Sequence, residues 1–146
     1  MIGGVMTASV LQNQCKPKHK RIYITYKERL KRYGKKQVIA NYVDRIKSRA
    51  KEKNLPCTFT REMFLKLWKQ QKGRCAYTGR PMLLGINTKT KMFSDSASVD
   101  RINPKKGYVD GNVCLCAHWV NSAKGQHTLR MLLRRARDLI AYNSTK

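Results

Sequence analysis

Acidic residues are what this sequence has least of: eight Asp and Glu stand against 32 Lys and Arg in 146 residues, a formal net charge of +24. So few carboxylates cannot neutralise the chain from within. Self-repulsion at that charge opposes a compact state unless a polyanion or counterions answer it. Nucleic acid is the expected partner, and an anionic membrane surface is the weaker alternative. Long apolar runs are also missing. No stretch of 18 apolar residues occurs, which excludes a helix that spans a bilayer. The mildly apolar start, Met1 to Leu11, has no charged region before it, so no export signal is expected. The five cysteines (Cys15, Cys57, Cys75, Cys114 and Cys116) are odd in number and scattered, which argues against a disulfide framework. Reduced thiols in a cytoplasmic protein are expected instead.

What is present suffices for one domain with a tail. Hydrophobic residues make up 41% of the chain, enough to fill a core. Residues 1–36 read as a basic, partly disordered N-terminal extension, and 37–146 as the folded domain with a helical lead-in and a C-terminal helix. The extension carries Lys16, Lys18, Lys20, Arg21, Lys27, Arg29, Lys31, Arg32, Lys35 and Lys36, interleaved with Tyr23, Tyr26 and Tyr33. Cations neutralise phosphates and aromatic rings stack on bases, so this segment is a candidate nucleic-acid-binding surface. A solvated tail that adds only nonspecific affinity has the same composition.

Ile39, Tyr42, Val43 and Ile46 recur at helical spacing and predict a helix over 38–53, ringed by Arg45, Lys47, Arg49, Lys51 and Lys53. Thr60 can cap a second helix whose stripe is Phe64, Leu67 and Trp68, ending near Lys72-Gly73. Gly73 to Met82 predicts a tight loop or short hairpin. Strands are predicted over 97–102 and 112–116, a short helix from 117 or 118 to about 125, and a last helix over 129–142. In that last helix Leu132, Leu133, Ala136, Leu139 and Ile140 are expected to face inward. The fold class is α+β.

Most of the eight carboxylates lie on helix surfaces, in basic runs or in loops. Asp100 differs, because it sits in a strand between Val99 and Ile102. A carboxylate buried there needs a partner, either a cation or a metal. The segment S-V-D-R-I-N-P-K-K-G-Y-V-D-G-N-V-x-L over 98–115, followed by W-V-N-S-A-K-G over 119–125, resembles the HNH endonuclease family and looks most like its small phage-encoded members. F-T-R-E-M-F-L-K-L-W-K-Q-Q-K-G-R-C-A-Y-T-G over 59–79 is similar to that family's lead-in. The resemblance covers roughly 45–142.

The resemblance implies a ββα-metal core, flanked here by helices and preceded by the basic extension. It implies metal-dependent hydrolysis of DNA phosphodiesters, by nicking or double-strand cutting. Asp100 and Asn121 fall on the metal-ligand positions, and a hard ion, Mg2+ or Mn2+, suits their oxygens. Asn112 falls on the middle Asn, whose usual role is to hold the loop that aims the base. Arg101 stands where the family carries its base histidine. A guanidinium stays protonated, so Arg101 is a poor base and is expected to clamp phosphate instead. Metal-bound water or His118 is left as the base, and a surface or capping role is the favoured reading of His118. Lys124, with Lys105 and Lys106, is expected to hold neighbouring phosphates. Thr78 replaces a zinc cysteine of the family, and no structural Zn2+ is expected. A site from Cys75, Cys114, Cys116 and His118 is conceivable, but packing by Trp119, Val120 and the last helix is expected to replace it. Expected partners are DNA and DNA-processing proteins of phage or host, without a membrane, in the host cytoplasm if the chain is phage-encoded. Two other classes remain open: an HNH-shaped DNA-binding protein with weak or lost catalysis, and a basic RNA-binding protein.

Overall fold

The structure, a computed structural model, describes residues 26–85 and 95–144, with side chains from residue 31 onward. It is a small α+β fold. Helices α1 (Tyr26–Glu52) and α2 (Arg61–Gln70) precede strands β1 (Ala97–Arg101) and β2 (Val113–Ala117). Helices α3 (His118–Lys124) and α4 (Leu129–Asn143) follow. The two strands pair antiparallel, with Asp100 opposite Cys114 and Arg101 opposite Val113.

Helix α1 starts earlier than the apolar spacing predicts. Its first turns are mostly charged, and Lys, Arg, Glu and Leu are strong helix formers. Gly34, at φ 69 and ψ 161, breaks the helix into two stretches, and that backbone conformation favours glycine. The second stretch buries Val38, Ile39, Tyr42, Val43, Ile46 and Ala50. Asn54, at φ 48, closes its C-terminus, where the Leu55 amide donates to the Ala50 carbonyl. Thr60 caps α2 through the Met63 amide. Phe64 then stacks between Tyr42 of α1 and Trp68, with ring centroids at 5.2 and 6.2 Å.

Gly73 to Met82 forms the tight hairpin, with a bridge between Arg74 and Pro81. It lies beside β2. The Gln71 side-chain amide donates to the Leu115 carbonyl at 2.7 Å and accepts from the Leu115 amide at 2.9 Å. Gln71 thereby occupies the outer edge of β2 as a third strand would. The Ala76 amide adds a bond to the same carbonyl at 3.0 Å.

One expectation fails at α4. Thr128 caps this helix as the sequence predicts, but Leu133, Leu139 and Ile140 are exposed, the last two at 65% and 66%. Leu132 and Ala136 are only half-buried. The apolar pattern is real, yet among the described residues no element covers that face. Of the residues expected to pack there, Val120 is buried and Trp119 half-buried, whereas α4 leaves most of its apolar residues exposed.

Candidate functional site

The loop between the strands is long and carries little regular structure, so its backbone needs other partners. Asn112 supplies them. Its Oδ1 accepts from the Asn103 amide at 3.0 Å, and its Nδ2 donates to the carbonyls of Asn103 and Gly107 at 3.1 and 2.8 Å. Removing it leaves three backbone groups without these partners, at about 1–3 kcal/mol for each that stays buried. Asn112→Ala is therefore expected to lower stability by on the order of 3 kcal/mol in urea denaturation. A loss below about 1 kcal/mol would show that the loop holds without this clasp.

Arg101 grips the same loop from inside. It is 6% exposed. Nη1 donates to the carbonyls of Pro104 and Lys106 at 2.8 and 3.4 Å, and Nη2 to Gln126 Oε1 at 2.9 Å. The guanidinium also lies over the Tyr108 ring, 5.2 Å from its centre. Its fork is thus engaged within the chain, which corrects the expectation of a phosphate clamp.

Asp100 is 5% exposed, and Lys124 is buried further, at 1%. Lys124 Nζ donates to Asp100 Oδ1 and to the Arg101 carbonyl, both at 3.1 Å. The Tyr77 hydroxyl donates to Asp100 Oδ2 at 2.5 Å, and the Cys114 thiol donates to that hydroxyl at 3.3 Å. Burial, then the bond to Asp100, pushes the Tyr77 hydroxyl far above its usual range. Burial also raises the Cys114 thiol to about 11, and Cys116 rises further for the same reason. The partner demanded by a buried carboxylate is therefore a cation, Lys124. This corrects its expected role on DNA, since a residue buried this deeply presents no charge to a phosphate outside.

Helix α3 leaves β2 directly. The His118 amide is held by the Ser96 carbonyl, and one turn later Asn121 donates from Nδ2 to Ser98 Oγ at 2.7 Å and to the Val99 carbonyl at 3.3 Å. Those bonds orient the amide and leave Oδ1 as its acceptor. Among the described residues no donor meets that oxygen.

A cleft of about 380 Å³ gathers these groups. Asp100, His118 and Asn121 line it from β1 and α3, together with Arg45 and Arg49 of α1 and Lys53 just past the end of that helix. Among the described residues Asp100 is the one acid that lines it. Lys105 and Lys106 are exposed on the loop beyond it, and Lys31, Arg32, Lys35 and Lys36 are exposed on α1. The backbone of Lys27 and Arg29 belongs to the start of α1, whereas Lys16, Lys18, Lys20 and Arg21 lie outside the described residues.

The donor set can be weighed against the implied ion. Among the described residues no group of three or more His, Cys, Asp or Glu is gathered to hold a metal. Mg2+ needs no such cage, because it usually binds through one or two carboxylates and completes its shell with water and substrate phosphate. A carboxylate offers about four lone-pair sites, and the bonds above occupy two on Asp100. The Asn121 oxygen adds a neutral hard donor. The residues fit a hard ion held jointly with a phosphate. Lys124 opposes tight binding to the protein alone, because its charge already answers Asp100.

Sequence reasoning missed Tyr77, Gln126 and the orientation of Arg45, Arg49 and Lys53. Tyr77 reaches Asp100 through a separate hairpin and carries no local signal. The three cations do, since they recur every fourth residue along and just past α1, although the spacing does not say what they face. Compared with known protein families, curated proteins and solved structures, the chain finds no match.

Proposed function

We propose that this protein is a metal-dependent DNA endonuclease of the HNH type, with β1, β2 and α3 as its ββα-metal core. The observation that carries the reading is the single cleft that holds Asp100, His118 and Asn121 together with Arg45, Arg49 and Lys53. In this reading Asp100 and Asn121 Oδ1 would hold Mg2+ or Mn2+ together with a DNA phosphate, and the ion would supply charge stabilisation at the scissile phosphate. His118, exposed on the same helix face as Asn121, accepts the proton of the attacking water. Asn112 and Arg101 keep the loop beside the cleft in place.

Nicking of supercoiled plasmid tests this. Asn121→Ala is the cleaner variant, because it leaves no charge buried without a partner. Nicking in Mg2+ is expected to vanish with chelator and to fall by on the order of 100-fold in Asn121→Ala, at an unchanged circular dichroism spectrum. Cleavage that survives either treatment refutes the metal assignment.

A second reading has its own support. Lys124 neutralises Asp100, and Arg101 is engaged in the loop, which suits an HNH-shaped DNA-binding protein without catalysis. Tight DNA binding with no nicking in Mg2+ or Mn2+ selects it.

A further inference from the structure

Arg45 and Arg49 of α1 and Lys53, just past its end with its amide donating to the Arg49 carbonyl at 3.2 Å, stand four residues apart, so they form one row about 12 Å long. All three are exposed, and all three line the cleft that holds Asp100, His118 and Asn121. Arg45 is fixed in place, with Nε donating to the Asn41 carbonyl at 3.1 Å and the guanidinium 5.1 Å from the Tyr42 ring centre. One DNA strand presents a phosphate about every 3.4 Å along its axis. A row of this length therefore passes about three of them. From β1 and α3 the lining offers the neutral amide of Asn121 and the ring of His118, and the Asp100 carboxylate is already answered by Lys124. The field in the cleft is thus positive on the α1 side.

We propose that the Arg45–Arg49–Lys53 row, on α1 and its C-terminal turn, is a phosphate-backbone site that seats one strand of DNA in the cleft. The inference rests on DNA being the partner, as in the reading above, but not on cleavage. It places the affinity nearest the chemistry on α1 and leaves the basic extension as a separate contributor.

The test measures binding of a DNA duplex by the full chain from low to moderate salt, with nicking assayed apart. Arg49→Gln with Lys53→Gln keeps good helix formers in exposed positions. Two lost contacts are expected to flatten the slope of log affinity against log salt by about 1.8. Lys69→Gln with Lys72→Gln removes the same charge from exposed positions outside the cleft, and is expected to leave the slope nearly unchanged. An unchanged slope in the α1 variant overturns the proposal. So does an equal change in both variants, tighter binding of an RNA duplex of the same length, or no DNA binding at all. A flattened slope in a protein that never nicks DNA sustains this site and sinks the endonuclease reading.

Discussion

Lys124→Met is expected to lower unfolding free energy by about 3–5 kcal/mol, because it leaves a deeply buried carboxylate without its cation. Asp100 would keep the Tyr77 hydroxyl as a donor, but a neutral phenol cannot balance the charge. The Arg101 carbonyl loses a donor as well. In urea, the midpoint is expected to fall with an unchanged slope. The double variant Lys124→Met with Asp100→Asn separates pairing from packing. It removes both charges, keeps an acceptor for Tyr77, and is expected to recover most of the loss, since replacing a whole buried pair is often neutral. A single variant within about 1 kcal/mol of the parent would show that Asp100 draws its partner from elsewhere. The same pairing affects functional work. Asp100→Ala strands Lys124 in the interior, so lost nicking in that variant reports on folding as much as on chemistry.

Gly107→Ala is expected to be as damaging for a different reason. Gly107 is not among the left-handed glycines, so its need is spatial. An added Cβ would overlap the Pro56 carbonyl oxygen and lie 2.7 Å from the Pro56 carbonyl carbon. Both are backbone atoms, which cannot rotate away. The approach is close because Tyr108 donates to the Pro56 carbonyl at 2.8 Å and its own carbonyl accepts from the Thr58 amide at 3.1 Å. Separating the strands of this contact sacrifices both bonds and shifts the Tyr108 ring from beneath Arg101. Overpacking alone costs about 1–3 kcal/mol, and each buried group left unpaired adds about 1–3 kcal/mol. A total near 4 kcal/mol is expected in urea denaturation, with faster amide exchange at Thr58 and Tyr108. Near-parental stability would mean that the loop can lift off Pro56 without penalty.

The parts of the fold that were legible in the sequence are those set by neighbours along the chain. Thr60 and Thr128 announce their helices through short side-chain caps. The run from Ala97 to Lys124 shows its strand, loop, strand and helix through turn residues and short apolar runs. Contacts across the chain were not legible. In so basic a sequence every Lys and Arg resembles a phosphate ligand, and only the fold separates Lys124 and Arg101, turned inward, from Arg49 and Lys53, facing the cleft. Asp100 was singled out correctly as a carboxylate that needs a partner, yet nothing near it in sequence identified Lys124 and Tyr77. Helix α4 fails in the opposite direction. Its apolar spacing is helical, but spacing states which residues share a face and not whether another element lies against it.

The Gln71 amide also bears on how one molecule meets another. A two-stranded ribbon is marginal alone and, with an open edge, is a template for strands of neighbouring chains. Gln71 and Ala76 close β2 on its outer side from within the same chain. The Leu115 backbone groups on that edge are therefore already paired, and a strand from a neighbouring chain meets no open template at that position.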